Sequence, residues 1–235
     1  MKIVIAAAAL VAAAGAASAA PIAYWSFPAT APSQNYNLSY PILADFKATA
    51  GVASIDTDAP KYDGSPAPNA IQQGAMQYFA GTTVNSQFGA VAGQALSMRN
   101  DTQDRAQGKS LFVRFDGSGY SDYKLSYAER YSSTGPTGVS ISYSTDGINY
   151  SAFTSYATNR SGAFGAVAQV IDLSAVNSIE GFSSVYFKIT FTGFNAGSNG
   201  TARIDNVLVE GTLIPTPAAA SLLGLVGLAA ARRRR

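Results

Sequence analysis

Carboxylates are the side chains of this 235-residue sequence that could support catalysis, because it has fourteen Asp and Glu residues but no His and no Cys. Two carboxyl groups at a suitable separation can hydrolyse a glycosidic bond. The closest pairs along the chain are Asp101 with Asp104 and Asp56 with Asp58, and no Glu-x-Asp-x-x-Glu strand is present. We therefore expect solvated loop carboxylates and a protein that is not an enzyme. A glycan-active hydrolase is the less favoured alternative.

The absence of His and Cys excludes several classes of site. Ser-His-Asp and Cys-His nucleophile systems need an imidazole, and the common zinc sites need imidazole or thiolate ligands. Without disulfides, the folded part must be stabilised by burial of its core.

The basic residues are concentrated at the chain ends. Lys2 and Arg232 to Arg235 supply five of the sixteen basic residues, which leaves 11 basic against 14 acidic residues between them, a net charge of −3. This central region has no basic stripe that could hold a phosphate backbone, so we expect no nucleic-acid partner.

Alternating apolar and polar residues predict β-strands through most of the chain. In 139–144, Val, Ile and Tyr alternate with three serines. The stretches 111–115 and 185–191 alternate in the same way, with Phe112 and Arg114 between the inward positions of the first and Tyr186, Lys188 and Thr190 between those of the second. Leu125 and Tyr127 show the same alternation. Weaker strands are predicted at 24–27, 94–98, 151–153 and 166–173. No amphipathic helix interrupts the pattern.

This pattern predicts an all-β fold, a two-sheet antiparallel β-sandwich over residues 20–213. Long loops or edge strands are expected at 28–68 and 98–109. Between two predicted strands, Thr145-Asp146-Gly147 predicts a hairpin, because Asp tolerates and Gly readily adopts positive φ.

Aromatic residues could stack on sugar rings. The single tryptophan, Trp25, lies in a short apolar strand and is expected in the core. Tyr120, Tyr123 and Tyr131 lie close to Gly and Ser and are the better candidates for exposed rings. No sugar site follows from these residues alone.

The N-terminus predicts a signal peptide over residues 1–19. After Met1 and Lys2, an apolar run ends at Ala17-Ser18-Ala19, which fits the small-x-small pattern that signal peptidase cleaves. Cleavage after Ala19 is expected to make Ala20 the first mature residue. An uncleaved anchor is the alternative, although anchors usually need about 20 apolar residues.

The C-terminal segment, residues 214–235, changes character abruptly. Pro215-Thr216-Pro217 is followed by a 14-residue apolar run and by Arg232, Arg233, Arg234 and Arg235. As a helix, such a run reaches about 21 Å, less than the roughly 30 Å of a hydrocarbon core, which favours a temporary anchor. The arginines are expected to stay cytoplasmic while the domain is held outside. A simple tail anchor is the alternative.

This order of features resembles the PEP-CTERM sorting signal, which has a Pro-Glu-Pro-like motif, a short apolar helix and an arginine cluster. Thr216 replaces the usual Glu, as in a planctomycete-like variant. The resemblance implies export, transient anchoring in the inner membrane and cleavage by an exosortase-like membrane protease. The predicted sandwich is then flanked by a signal helix and a short C-terminal apolar helix.

The central region also resembles jelly-roll domains. Arg203-Ile204-Asp205-Asn206-Val207 is similar to the last strand of many carbohydrate-binding jelly rolls, which ends in Ile-Asp-Asp/Asn-Val. In that resemblance the Asp often contributes to a structural calcium site, so Asp205 is the candidate metal ligand. A strand Asp hydrogen-bonded to a neighbouring loop is the favoured alternative, and no cofactor is otherwise expected.

Together these features predict an exported, non-enzymatic surface or extracellular-matrix protein associated with exopolysaccharide. A carbohydrate-binding module is the alternative.

We expect the protein recovered from envelope and medium fractions of its host to begin at Ala20 and end near Pro217, because both processing enzymes remove their signals. Intact-mass spectrometry measures this. A species that still carries Arg232 to Arg235 would contradict proteolytic sorting and favour a permanent short anchor.

Overall fold

Two antiparallel sheets pack face to face in the computed structural model, which describes residues 18–27, 40–60 and 75–215. In chain order, the seven-stranded sheet A contains β1 Ala19–Trp25, β3 Phe46–Lys47, β5 Met76–Ala80, β6 Gln94–Arg99, β8 Tyr120–Tyr131, β11 Gln169–Asp172 and β13 Thr201–Leu213. The six-stranded sheet B contains β2 Ile42–Leu43, β4 Ser54–Thr57, β7 Ser110–Phe115, β9 Gly138–Ser144, β10 Ser151–Ala157 and β12 Val185–Thr192. A 3₁₀ helix, Asn177–Ile179, precedes β12. The predicted all-β sandwich is confirmed.

Sheet B has the order β10-β9-β12-β7-β4-β2. Sheet A is centred on β13, which pairs with β8 along one side. Along its other side, β13 pairs first with β6 at 201–204 and then with β1 from Val207 onward. The register of β13 shifts between Asp205 and Leu208, at the point where β1 replaces β6 as its neighbour. A β-bulge therefore lies at the junction of four strands.

The core is formed by the inward positions of the alternating strands. Val113 on β7 and Phe187 on β12 are cross-strand partners, and both are fully buried. The Phe187 ring lies 5.1 Å from that of Phe115 in the same sheet and 6.5 Å from that of Tyr123 in sheet A. These rings join the two sheets, and such contacts stabilise beyond the area they bury.

The predicted strands are present with shifted ends, and Trp25 is buried as expected, its indole N–H donating to the Ile42 carbonyl over 3.2 Å. The reversal at Thr145-Asp146-Gly147 is confirmed, since β9 pairs with β10 across it. Strand β5 was not predicted, and the short β2, β3 and β4 lie in the stretch 28–68, for which long loops or edge strands were expected. Runs of two to five residues contain too few alternations to be distinguished from loops.

The flanking helices predicted at the two ends lie outside the described residues, so they stay predictions. Within residues 18–27, 40–60 and 75–215 there is no helix long and apolar enough to cross a membrane.

Replacing Phe187 by Ala should lower the free energy of unfolding by about 3–5 kcal/mol, because it leaves a cavity between the sheets. Phe182→Ala is the matched control, since the Phe182 side chain is 47% exposed, and should cost less than about 1 kcal/mol. Urea denaturation followed by Trp25 fluorescence measures both. Equal effects would contradict this description of the core.

Candidate functional site

The outer face of sheet B carries a group of half-buried aromatic and charged side chains. Phe112 and Arg114 on β7 lie opposite Lys188 and Tyr186 on β12, respectively. Their inward neighbours along each strand are buried, so these four residues point away from the core. Asp56 on β4 lies opposite Phe112, and Tyr150 precedes β10. We call these six residues the aromatic face.

Each cation of the aromatic face lies over an aromatic ring. The Lys188 ammonium is 5.6 Å from the centre of the Phe112 ring and 5.3 Å from that of Tyr150. The Arg114 guanidinium is 5.5 Å from the centre of the Tyr186 ring and donates to the Ser184 hydroxyl over 3.2 Å. These contacts fix the rings and the long side chains against each other, and each contributes about 0.5–1 kcal/mol at such partly exposed positions.

The β9–β10 hairpin forms one end of this face. Asp146 Oδ1 accepts hydrogen bonds from the Ile148 and Asn149 amides, both at 2.8 Å, and the hydrogen bonds it receives lower the pKa of Asp146. A Cβ on Gly147 would lie 3.1 Å from the Tyr186 ring. Two features therefore require glycine at position 147: the positive φ of 74° and the close approach of the Tyr186 ring.

Two shallow depressions meet at Tyr150. One, of about 570 Å³, is lined by Tyr150, Lys188 and polar residues of β9, β10 and β12. The other, of about 300 Å³, contains Asp56, Arg114 and Tyr186 as well as Tyr150. Burial is the main cause that raises the pKa of Tyr150 to about 12, so its phenol stays protonated and can donate a hydrogen bond. The surface thus offers ring faces, two cations and a carboxylate to one elongated ligand.

The tyrosines favoured from the sequence do not form this face. Tyr120, Tyr123 and Tyr131 are 8%, 0% and 1% exposed, so the expectation that they are exposed was wrong. They belong to β8, whose inward positions face the other sheet, and the Tyr123 hydroxyl donates to the carbonyls of Gly117 and Tyr120. Their Gly and Ser neighbours belong to the turns around β8. The sequence feature that indicates the aromatic face is instead the set of residues at the outward positions of β7 and β12.

Asp205 is fully buried in the bulge of β13. Its Oδ2 accepts the Thr82 amide over 2.7 Å and its Oδ1 accepts the Asn206 amide over 2.8 Å. Burial raises the pKa of Asp205 to about 7, although these two donors oppose the shift. A Cβ on Gly81 would lie 2.4 Å from Oδ2, so the loop backbone packs directly on the carboxyl.

These contacts match the alternative in which Asp205 anchors a neighbouring loop. No group of three or more acidic, His or Cys side chains placed to hold a metal occurs in the described part of the chain. Calcium binding at Asp205 stays a prediction.

The acidic pairs considered for catalysis hold loops in place. Asp101 forms a salt bridge with Arg105, and Asp104 Oδ1 accepts the Asn100 side-chain amide over 2.8 Å. Asp58 Oδ1 accepts the Ser110 amide over 2.7 Å. Asp56 belongs to the aromatic face.

Of the processing residues, Ala19, Ala20 and Pro215 are described. Ala19 and Ala20 on β1 lie opposite Thr212 and Gly211 on β13, respectively. Ala17, Thr216, Pro217 and Arg232 to Arg235 lie outside the described residues, so their predicted roles in cleavage and sorting stay predictions.

No protein-family model and no curated protein matches this sequence. Among solved structures, the K3 cleaved adhesin domain of Lys-gingipain from Porphyromonas gingivalis W83 matches with 12% identity and a TM-score of 0.43, covering 82% of this chain and 99% of that one. TmCBM61 in complex with β-1,4-galactotriose matches with 12% identity and a TM-score of 0.37, covering 57% and 81%. The xylan-binding module CBM15 matches with 9% identity and a TM-score of 0.38, covering 55% and 90%. These similarities concern the general fold.

We expect Asp205 to make stability fall as pH rises through neutrality. The folded-state pKa of Asp205, about 7, lies above the ordinary value of 3.8. Its contribution to the free energy of unfolding is therefore complete below about pH 4 and decreases as the pH rises to about 7. At roughly 1.4 kcal/mol per pKa unit, the change is on the order of 4 kcal/mol. Urea denaturation between pH 4.5 and 8 should show this loss in the wild type and a flatter profile in Asp205→Asn.

The control is Asp172→Asn. Asp172 accepts the Ser174 amide over 3.0 Å, and this hydrogen bond lowers its pKa, so its contribution is lost on acidification instead. If the free energy of unfolding of Asp205→Asn followed the same pH profile as that of the wild type, the raised pKa of Asp205 would be contradicted.

Proposed function

We propose that this protein is an exported, non-enzymatic surface or matrix protein whose sandwich domain binds polysaccharide through the aromatic face. The observation that carries the proposal is the group of three half-buried rings, Phe112, Tyr150 and Tyr186, on the outer face of sheet B, with charged side chains between them. A strand face that only meets water needs no such rings, and the next cross-strand row, Ser110 with Thr190, is polar.

The chemistry of this face suits a sugar chain. Pyranose rings present apolar C–H faces that stack on aromatic rings, while their hydroxyls need hydrogen-bond donors and acceptors at the edges. Arg114 and Lys188 supply donors, and Asp56 supplies a carboxylate acceptor. Because the two depressions are shallow and both are lined by Tyr150, they fit an extended chain better than an enclosed small molecule.

The sorting part of the proposal rests on the resemblance of residues 214–235 to PEP-CTERM signals. The pairing of β1 with β13 is compatible with the predicted removal of the signal peptide. Cleavage after Ala19 leaves the sheet pairs from Ala20 with Gly211 onward intact. The same pairing places Ala20 beside β13, the strand that leads to Pro215. A tail anchored in the membrane would therefore hold the domain by one end.

Affinity gel electrophoresis in xylan, mixed-linkage β-glucan, β-1,4-galactan and alginate tests the binding function. We expect at least one polymer to retard the wild type in a saturable way. Tyr150→Ala and Lys188→Gln should each weaken that binding about tenfold, or about 1.4 kcal/mol, because each removes a contact from the centre of the face.

Ile148→Ala is the matched control, because Ile148 lies in the same hairpin and is 81% exposed but lines neither depression. It should bind like the wild type. Retardation by none of the four polymers would overturn the binding function, and equal losses in all three variants would show that the aromatic face is not the site.

A further inference from the structure

A loop over residues 81–93 covers the outer face of sheet A. Tyr24 on β1 and Leu208 on β13 are cross-strand partners on this face, yet they are 2% and 3% exposed. Both lie outside the core cluster between the sheets. The loop therefore covers the surface around this pair.

The loop is held by the β13 bulge. Besides the contact of Asp205 with Thr82, the Asn206 side-chain amide donates to the carbonyls of Thr82 and Val84 over 2.8 and 2.9 Å. Asn85 returns a hydrogen bond to the Asn206 carbonyl over 2.7 Å. The Tyr24 hydroxyl donates to Asn206 Oδ1 over 2.7 Å and accepts the Gln87 amide over 3.1 Å. The position of the loop tip is thus set by side chains of the sheet.

At this tip the loop presents an exposed aromatic ring. Phe88 has a φ of 53°, a left-handed conformation that is unfavourable for a bulky residue, and its side chain is 61% exposed. Its ring stacks on Phe46 with centres 4.5 Å apart and planes at 30°, and meets Tyr24 edge to face at 5.7 Å. Covering the sheet does not require an exposed ring in a strained backbone, and such strain is common where a ligand is bound.

Polar groups surround this ring pair. A depression of about 380 Å³ contains Phe46 and Phe88 together with Ser26, Asp45 and Gln87. The Asp45 side chain is exposed and is oriented by Ser26, whose amide and hydroxyl donate to Oδ2 over 2.6 and 2.8 Å. A ring face beside a carboxylate and an amide matches a sugar ring.

We infer that Phe88 and Phe46, with Asp45 and Gln87, form a second saccharide-binding site, and that the domain bridges two polysaccharide chains. The inference rests on the proposed function of the aromatic face. The two sites lie on the outer faces of different sheets and point in opposite directions, so one extended chain cannot stack on both. A matrix protein with two such sites cross-links polymer without needing to form oligomers.

Static light scattering of the polysaccharide that retards the wild type in the gels, chosen from the same four, tests bridging. Substoichiometric wild-type protein should raise the apparent polymer mass at least twofold. Phe88→Ala and Phe88→Leu should abolish the increase, while gel retardation through the aromatic face persists within about threefold of the wild type. Phe88→Tyr should restore bridging, because it keeps the ring. Phe88→Leu separates loss of the ring from loss of apolar packing in the loop.

Val91→Ala is the control, because Val91 is on the same loop and 78% exposed but does not line the depression. It should bridge like the wild type. Retardation without bridging by the wild type, or bridging that survives Phe88→Leu, would overturn the second site and leave the proposed function standing. A change in the sedimentation of the Phe88 variants without polysaccharide would identify the site as a self-association surface and also overturn the inference. If none of the four polymers retards the wild type, both the binding function of the aromatic face and the second saccharide-binding site are overturned.

Discussion

The buried carboxyl of Asp205 is the interaction on which the rest of the structure depends. It lies in the bulge where β13 exchanges β6 for β1 as its neighbour. Such an exchange leaves backbone groups without ladder partners, and Asp205 accepts the Asn206 amide in the bulge as well as the Thr82 amide of the adjacent loop. Burying a carboxyl is costly, and the raised pKa of Asp205 shows that its two hydrogen bonds compensate for this only in part. The neutral acid lowers this cost, which couples the bulge to pH.

The bulge also makes the two outer faces of the sandwich different. Asp205 and Asn206 fix the 81–93 loop on sheet A, where it buries Tyr24 and leaves Phe88 at its tip. On β7 and β12 the rings of the aromatic face are instead half-buried and line two depressions. This strand irregularity thus accounts for the burial of Tyr24 and for the position of Phe88.

Tyrosine shows why the site was harder to predict than the fold. Tyr123 and Tyr186 have the same side chain and both belong to alternating strands. Tyr123 faces the other sheet and satisfies its hydroxyl with backbone carbonyls, whereas Tyr186 faces outward over Gly147. An amphipathic residue fits either face of a strand. The two tyrosines can therefore be distinguished only by knowing which face of its strand each one occupies. That assignment could be derived for β12, whose apolar positions are unambiguous. In β8 the predicted alternation covered Leu125 and Tyr127 but stopped short of Tyr123, which lies on the same face.

The sequence alone determined the all-β sandwich, the hairpin after β9, the burial of Trp25 and the lack of imidazole and thiol chemistry, because alternation, turn residues and composition are local properties. Tertiary structure decided that Asp205 anchors a loop, that Tyr120, Tyr123 and Tyr131 are buried, and that Phe46 stacks on Phe88. These outcomes depend on pairs such as Thr82 with Asp205, separated by 123 residues, and strand pairing at that distance is set by how the whole core packs.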